Sequence, residues 1–244
     1  MNKILQHLQS EWYKYILEIL VITFGILGAF ALNNWHEGRK DKRLLVNHLT
    51  KISENLSNDS MQLHELQQNR KEAVDQIADL IKILDTKEQV DPQFFSTVFL
   101  NIVVEKRFIP NQNGFDELTE SEAFERVTNS PFHDLLFEYI RLSDELIFLE
   151  ERNNLFSEDM ESELWKSGFY KKAWPDISSY TKHASYKKKN PVDYAMEFST
   201  NAPLQGLILR SEFVFKKLSG DYQRLIEKGR ELEAAIQHLI QENR

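Results

Sequence analysis

The sequence contains no cysteine and little glycine or proline. Of its 244 residues, 8 are glycine and 6 are proline. The lack of cysteine excludes disulfide bonds and thiolate metal sites, and it says nothing about the compartment. The scarcity of turn-forming residues argues against a loop-rich or all-β fold. The chain is therefore expected to be helical, and its length allows one or two domains.

Positive charge and the common catalytic motifs are also in short supply. The chain has 30 basic and 38 acidic residues, a formal net charge of −8, which argues against nucleic acid as a partner. It has no Gly-x-Gly-x-x-Gly, no phosphate-loop glycine pattern and no Gly-x-Ser-x-Gly. None of the seven histidines has the neighbours that helical zinc or di-iron sites require. We therefore expect no cofactor, no metal and no enzymatic activity.

An apolar segment long enough to span a bilayer lies near the N-terminus. Only Glu18 and Thr23 interrupt the apolar run from Ile16 to Leu32, and aromatic residues flank it (Trp12, Tyr13, Tyr15 and Trp35). The stretch between the outer tryptophans is roughly 36 Å of helix at about 1.5 Å per residue, and a span needs about 20 residues. Because aromatic belts mark the membrane interfaces, we predict a transmembrane helix over residues 13–35. The alternative is a cleaved signal peptide, since Ala29-Phe30-Ala31 resembles a cleavage site.

One face of the predicted span differs from the rest. Glu18, Ile22, Gly25 and Ala29 follow 4, 3, 4 spacing. Gly25 and Ala29 form a small-xxx-small pair that lets a second helix approach closely, and a partner helix could satisfy the carboxyl group of Glu18. The alternative for Glu18 is a position near the interface, where its carboxyl reaches the head groups. The face is a candidate contact surface for a second copy or another membrane protein.

The side of the membrane on which the rest of the chain lies is predicted from charge and length. Two basic residues precede the span (Lys3 and Lys14), and four follow it (Arg39, Lys40, Lys42 and Arg43). This count alone favours a cytoplasmic C-terminal domain. However, long domains translocate largely regardless of charge, and a short tail before a first span usually stays inside. We therefore expect the C-terminal domain on the external (periplasmic) side.

A regular apolar stripe follows the span. Its members alternate in steps of four and three: Leu45, Leu49, Ile52, Leu56, Leu63, Leu66, Ala73, Ile77, Leu80 and Leu84. Asp59 and Arg70 fall on the same stripe and interrupt it. The spacing is that of a coiled-coil seam over nearly six heptads, and no proline occurs before Pro92, so one helix is predicted from the membrane to about Leu84. The seam packs either against its own domain, the favoured interpretation, or against another copy.

Proline and cap residues predict two further long helices and a short apolar one. Asp91-Pro92 begins the short helix, which ends at about Val104. Ser130-Pro131 begins a long helix, and from Pro203 the last helix runs nearly to the terminus. The apolar face of the Pro131 helix is predicted to contain Phe132, Leu135, Tyr139, Leu142, Leu146, Leu149, Phe156, Met160 and Leu164. Since no long helix can bury its stripe alone, an elongated bundle is expected.

Two weaker cap signals predict short helices. Thr119-x-x-Glu122 is typical of a capping box and predicts a helix to about Val127. Asn190-Pro191 predicts another that ends at about Phe198. No internal repeat is evident.

Two segments resemble a known family. The first runs from Glu18-Ile-Leu-Val-Ile-Thr-Phe-Gly-Ile-Leu through Ala31-Leu-Asn-Asn-Trp-x-Glu37, and the second is Phe108-x-Pro-Asn-x-x-x-Phe-x-Glu-Leu-x-x-Ser121. They are similar to the "GEI…GI-x-x-AL-x-NNWNE" and "F-x-PN…F-x-EL-x-x-SG" patterns of uncharacterised membrane proteins of Bacteroidetes-type bacteria. The resemblance covers the anchor, the loop and the helical layout, about two thirds of the chain. It implies an inner-membrane anchor and a helical domain, and it supplies no reaction.

The chain departs from that family at two places. His36 stands where the family usually has asparagine or a similar polar residue. Ser121-Glu-Ala follows where the family often has a glycine turn, which puts the local turn geometry in question.

Two segments outside the span are candidate binding regions. Turn-forming residues between Phe108 and Leu118 predict a docking loop, whose candidate residues are Phe108, Pro110, Asn111, Gly114, Phe115 and Leu118. The alternative is a connector that covers the end of the bundle. From Phe169 to Lys189 aromatic residues alternate with lysines, a pattern that could bind polyanions or phospholipid head groups. The alternative there is a solvated loop whose aromatic residues pack onto the bundle.

These observations lead to one hypothesis and one alternative. We expect a tail over residues 1–12, a transmembrane helix over 13–35 and an extramembrane helical bundle over 36–244. The predicted function is that of a membrane-anchored assembly or scaffold protein, with the lipid bilayer and either a homo-oligomer or another membrane protein as partners. The alternative is a single-span sensor whose bundle binds a ligand and signals through a membrane partner.

Overall fold

A computed structural model describes residues 2–178 and 191–243, with side chains from Lys14 onward except that of Tyr15. Within these ranges there is no strand, and the helices are α1 (Asn2–Thr86), α2 (Pro92–Val103), α3 (Asn113–Thr119), a 3-10 helix (Glu122–Arg126), α4 (Pro131–Lys166), α5 (Phe169–Ser178), α6 (Tyr194–Thr200) and α7 (Ala202–Asn243). The predicted all-α class is confirmed.

Helix α1 is unbroken over 85 residues. At 1.5 Å per residue it is about 128 Å long, which confirms the prediction of one helix to about Leu84. From Ile16 onward it is long and apolar enough to cross a membrane, and no residue of its most apolar window is buried. The predicted boundaries near residues 12 and 35 fall inside this one helix and stay predictions. The side chains of Trp12, Tyr13 and Tyr15 lie outside the described part.

The stripe of α1 after the span is the core of the bundle. All ten of its apolar members, from Leu45 to Leu84, are buried. Burial of one leucine or isoleucine contributes about 1.5–3 kcal/mol relative to exposure. The stripe packs against helices of its own chain, chiefly α7, so the interpretation as a bundle helix is confirmed.

Helices α1 and α7 pack antiparallel along most of their common length. The hydroxyl of Ser53 donates to Glu233 at 2.7 Å, and the amide of Gln67 donates to the carbonyl of Ser219 at 3.1 Å. Helix α4 also runs antiparallel to α7, because Glu138, near the beginning of α4, pairs with Lys228, in the second half of α7. The end of α7 therefore returns to the end of the bundle from which the span leaves.

A chain segment without regular structure takes the place of a fourth long helix. After α2 the chain passes along α1 toward the span: Gln62 bonds to Ile109, Asp59 to Asn111, Lys51 to Glu117 and Asp41 to Arg126. We call residues 104–112 the strap. Helix α3 and the 3-10 helix complete this path, which leads to the start of α4.

Two of the predicted helix caps are confirmed in position and two are not. The side chain of Asp91 accepts from the N–H of Phe94 at 2.9 Å, and Ser130 directly precedes Pro131 at the start of α4. Thr119 does not open a capping box: it ends α3, where its hydroxyl bonds to the carbonyls of Phe115 and Asp116, and the next helix begins after Ser121. Asp193 caps α6 by accepting from Met196 at 3.0 Å, while Asn190 lies outside the described residues.

The predicted apolar face of α4 is correct only in its first half. Beyond Leu146 the buried positions are Glu150, Asn153, Asn154, Ser157 and Leu164. Leu149, Phe156 and Met160, which the apolar pattern predicted, are only partly buried, as is Leu135. The seam continues in steps of four and three through polar residues. A search for apolar side chains alone therefore does not find the seam beyond Leu146.

Candidate functional site

The strap is fixed to the bundle by hydrogen bonds from its backbone to side chains of α1 and α4, two of which are buried. The N–H of Phe108 donates to Glu150 at 2.8 Å, that of Ile109 to Gln62 at 2.5 Å, and that of Asn111 to Asp59 at 3.1 Å. Pro110, the one residue in this run that has no N–H, needs no acceptor. Backbone groups buried without a helix or sheet must find such partners, since an unpaired one is costly. The polar residues Asp59 and Glu150 in the α1 and α4 seams supply two of them, and Gln62 beside the seam supplies the third.

Two carboxylates share the same arrangement. Each is 1% exposed and accepts one N–H from the strap and one hydroxyl from a tyrosine on another helix. Asp59 on α1 accepts from Tyr139 on α4 at 3.1 Å, and Glu150 on α4 accepts from Tyr222 on α7 at 2.5 Å. The three long helices and the strap therefore meet at these two points.

Burial shifts the pKa values of these groups. It raises the pKa of the Asp59 carboxyl, and the hydrogen bonds from Asn111 and Tyr139 oppose the rise. Burial likewise raises the pKa of Glu150, opposed by Tyr222, by the N–H of Phe108 and by the charge of Arg70. Burial and the adjacent carboxylates raise the pKa of both tyrosines, so they remain neutral donors.

Arg70 is the buried cation of the core. It is 1% exposed, and its guanidinium lies 4.0 Å from the ring centroid of Phe215 on α7. Its Nε has no hydrogen-bond partner in the described part of the chain. Its charge acts on Glu150 and Tyr222. The stacking on an aromatic face and the nearby carboxylate are the two features that stabilise a buried guanidinium here.

The predicted docking residues divide into buried and exposed sets. Phe108, Gly114, Phe115 and Leu118 are buried, and the last three belong to α3, so the loop ends earlier than predicted. Asn111 is exposed and Pro110 is half-buried. A Cβ on Gly114 would lie 2.8 Å from Nδ2 of Asn55, so α3 approaches α1 at a distance that only glycine permits without a shift. A docking role for this segment stays a prediction.

A groove of ≈ 470 Å³ lies between α1 and α7. Ser53, Ser57 and Ser60 line its α1 side, and Arg230 and Glu233 line its α7 side. One oxygen of Glu233 accepts from Ser53, while the other is buried with no hydrogen-bond partner in the described part of the chain. Leu56, Leu63 and Ile226 also line the groove, so it combines an apolar surface with a few polar groups, which is the usual composition of a ligand site.

The candidate contact face of the span is fully exposed. Glu18, Ile22, Gly25 and Ala29 touch no part of the bundle, and a Cβ on Gly25 would meet no atom within 4 Å. Phe24 and Phe30, elsewhere on the span, are as open, at 70% and 63% exposed. The geometry leaves the whole apolar span available to lipid or to another helix.

The aromatic and basic segment is partly a helix. Phe169 and Tyr170 of α5 are buried, and the ring of Trp165 stacks on Tyr170 at 4.4 Å. Lys172 pairs with Glu197 at 2.6 Å. The rest of the predicted segment, including Tyr180, Lys182, Tyr186 and Lys187 to Lys189, lies outside the described residues. Within residues 169–178, Phe169 and Tyr170 pack onto the bundle as the alternative predicted, whereas Trp174 is 43% exposed and the segment is a helix and not a loop.

Sequence reasoning noted Asp59 and Arg70 as interruptions but missed Glu150. The available signal was spacing: Tyr139, Ser143, Leu146, Glu150, Asn153 and Ser157 alternate in steps of four and three. A charged residue at a seam position needs a buried partner. The strap could supply one, because its backbone N–H groups are not bonded within a helix or a strand. In the described part of the chain no group of three His, Asp or Glu side chains could hold a metal ion.

These observations define a helical protein with one candidate membrane span. A family of unknown function (DUF6090) matches residues 18–133, which include most of the span, the stripe of α1, the strap and α3. Asp59, Gln62 and the strap all lie within the match, whereas Glu150 and Tyr222 lie beyond it. No curated protein and no solved structure matches the chain.

Proposed function

We propose that the protein is a non-enzymatic, membrane-anchored scaffold that acts through helix–helix contacts inside the bilayer. One observation carries the proposal: the two apolar surfaces of α1 are used differently. The seam from Leu45 to Leu84 is buried in its own bundle, while the span from Ile16 to Leu32 is exposed along its whole length. The seam is not free for a partner, so assembly through α1 uses the span.

The face of Glu18, Gly25 and Ala29 is the proposed contact, with a second copy of the chain as occupant. Two small residues four positions apart allow two backbones to approach closely, and van der Waals packing drives association where lipid offers no hydrophobic gain. A carboxyl group within an apolar span is costly unless it finds a partner or reaches the interface. A symmetric pair of helices brings Glu18 of one copy to the same face as Glu18 of the other.

The absence of enzymatic activity is part of this proposal. It is supported by the use that the bundle makes of its buried carboxylates. Asp59 and Glu150 are buried, and each already accepts a strap N–H and a tyrosine hydroxyl, so neither presents an accessible base to a substrate. A bacterial source, an inner-membrane location, a periplasmic bundle and domain boundaries at residues 12 and 35 also belong to the proposal.

The proposal is tested by comparing two alanines of the span. Ala29→Leu enlarges the contact face, and Ala31→Leu makes the same change about 160° away around the helix, at 100° per residue. The full chain and both variants are purified in mild non-ionic detergent, and their mass is measured by light scattering. We expect an oligomer for the wild type and Ala31→Leu, and a monomer or a weakened oligomer for Ala29→Leu.

Two results would contradict the assembly. The wild type should be measured at a protein-to-detergent ratio comparable to its protein-to-lipid ratio in a bilayer. If it is monomeric there, the proposed scaffold of identical copies is contradicted. An oligomer that both alanine variants leave intact would place the contact elsewhere.

The groove between α1 and α7 supports a second candidate, a single-span sensor. Its supporting observation is the unpartnered buried oxygen of Glu233 beside three serine hydroxyls. Helix α1 forms one wall of the groove and continues unbroken into the span, so a ligand that moves α1 against α7 would act on the membrane segment. The full chain is screened by thermal unfolding against a library of polar metabolites. A shift that Ser57→Phe abolishes favours the sensor, and a screen with no shift counts against it.

A further inference from the structure

A basic cavity lies where the span enters the bundle. Arg39, Lys42 and Arg43 of α1 and Arg126 of the 3-10 helix line a space of ≈ 610 Å³, together with Trp35 and the end of α7 at Asn243. Arg126 is distant in sequence from the other three, so the fold brings together a cluster that the sequence shows only in part. We call it the basic cavity.

The positive charges of the basic cavity are largely uncompensated. Asp41 pairs with Arg126, with Nη2 and Oδ2 2.9 Å apart, and this contact holds the 3-10 helix against α1. Arg39, Lys42 and Arg43 are exposed, and none forms an ion pair with a described carboxylate. Four cations therefore face the cavity against one carboxylate at its edge.

The helical spacing directs these charges to one side. Trp35, Arg39, Lys42 and Val46 follow steps of four, three and four, so they share a face of α1. The guanidinium of Arg39 lies 4.8 Å from the ring centroid of Trp35. Glu37 points away from this face and accepts from Asn33 at 2.9 Å. Glu37 therefore does not neutralise the cavity, and Asp41 pairs with Arg126 alone among its cations.

The basic cavity begins just outside the head-group layer, with Leu32 taken as the end of the hydrocarbon core. Arg39 lies seven residues beyond Leu32, which is about 10 Å at 1.5 Å per residue. A bilayer has a hydrocarbon core of about 30 Å and is about 40–45 Å thick with its head groups. Side chains on a helix lean toward its N-terminus, here toward the membrane. The long basic side chains can therefore reach back to lipid phosphates.

We propose that the basic cavity binds the head group of an anionic phospholipid. The inference rests on the proposed membrane anchoring and goes beyond it, because an anchor alone requires no preference for lipid charge. Arg39, Lys42, Arg43 and Arg126 contact the phosphate and any second anionic group. Trp35 lies at the interface beside the glycerol backbone. The bound lipid bridges α1 and the 3-10 helix, and so joins the base of the bundle to the bilayer.

The test uses the full chain in vesicles, with Trp35 as the reporter. Trp12, Trp165 and Trp174 are changed to phenylalanine, so that quenching reports Trp35 alone. The vesicles are phosphatidylcholine with increasing fractions of dibrominated phosphatidylglycerol or dibrominated phosphatidylcholine, on both leaflets. We expect the anionic quencher to act at a lower mole fraction than the neutral one, and high salt to reduce the difference.

Charge variants locate the effect. Each of Arg39→Gln, Lys42→Gln and Arg43→Gln should raise the half-quenching fraction of phosphatidylglycerol about fivefold, the value of one basic residue at a membrane surface. Lys40→Gln is the matched control, because Lys40 does not line the cavity and lies about 160° from Lys42 around the helix, at 100° per residue. A shift in Lys40→Gln equal to that in Lys42→Gln would indicate a diffuse surface effect and overturn the site.

The remaining outcomes separate this inference from the anchoring. Vesicle flotation checks insertion in the same samples: a chain that fails to float with the vesicles contradicts the anchor. A chain that floats, but whose Trp35 is quenched equally by both lipids, contradicts the head-group site alone. Reversal of the anionic preference by millimolar inorganic phosphate would assign the cavity to a soluble anion and likewise overturn the lipid proposal.

Discussion

The carboxylate of Glu150 on α4 accepts the backbone N–H of Phe108, 42 positions earlier in the chain, at 2.8 Å. The other oxygen of the same carboxylate accepts the hydroxyl of Tyr222 on α7. One side chain thus joins the strap to two of the three long helices. Its neighbour in this role, Asp59, joins the strap to α1 and α4 in the same way.

Truncation of Glu150 should destabilise the bundle strongly. Glu150→Ala leaves the N–H of Phe108 and the hydroxyl of Tyr222 without an acceptor, and each buried unsatisfied group costs about 1–3 kcal/mol. We expect a loss of about 2–6 kcal/mol in the free energy of unfolding. Glu150→Gln keeps one acceptor oxygen and should lose less. Urea unfolding of the full chain in non-ionic detergent, followed by near-ultraviolet circular dichroism, measures both. Equal losses for the two variants would show that the hydrogen bonds to the strap matter little.

Asp59 should make stability fall as the pH rises. Burial raises its pKa in the folded chain above the ordinary value of 3.8, so the folded state holds the proton more tightly than the unfolded state. By linkage, this contribution to stability is present at the lowest pH and decreases from the unfolded pKa up to the raised folded pKa.

Asp59→Asn should remove that part of the pH dependence, because the amide does not titrate. The free energy of unfolding is measured from mildly acidic to neutral pH for the wild type, for Asp59→Asn and for Asp75→Asn, an exposed position on the same helix. We expect a flatter profile only for Asp59→Asn. An unchanged profile in that variant would mean that Asp59 is not buried against the strap.

The sequence predicts the long elements of this fold well, because they follow from local rules. The stripe from Leu45 to Leu84 and the Asp91-Pro92 start depend on periodicity and cap chemistry within a few residues. The strap depends on contacts across tens of positions, such as Phe108 with Glu150, which no local pattern contains. The same holds for the basic cavity: Arg39 and Lys42 are visible beside the span, but only the fold adds Arg126. The interruptions at Asp59 and Arg70 were the one local sign that something other than an apolar helix packs against this seam.

Gly114 should not tolerate a side chain. A Cβ at this position would lie 2.8 Å from Nδ2 of Asn55 and 3.2 Å from the backbone nitrogen of Ile52, and the backbone of α1 cannot yield locally. Overpacking of this kind costs about 1–3 kcal/mol, so Gly114→Ala should lower the thermal midpoint of the full chain. Gly220→Ala is the control, since a Cβ there meets nothing within 4 Å in the interior of α7, where alanine is the better helix former. A Gly114→Ala variant as stable as the wild type would contradict the close packing of α3 on α1.

The charge of Arg70 should stabilise the ionised form of the buried Glu150 carboxyl, and so the folded bundle, at neutral pH. Its guanidinium lowers the pKa of that carboxyl against the larger effect of burial. In Arg70→Met the volume is largely kept but the charge is lost, so the folded pKa of Glu150 rises further above its ordinary value of 4.5. Stability then falls with increasing pH over a wider range than in the wild type, because the folded state holds its proton to a higher pH than the unfolded state.

The deficit of Arg70→Met in the free energy of unfolding should therefore be small in acid, where Glu150 is protonated in both states, and should grow toward neutral pH. Arg70→Lys keeps the charge and should show a smaller growth, and Arg152→Met, at an exposed arginine of α4, should show none. A deficit of Arg70→Met that is the same at every pH would assign Arg70 a packing role against Phe215 and no electrostatic one toward Glu150.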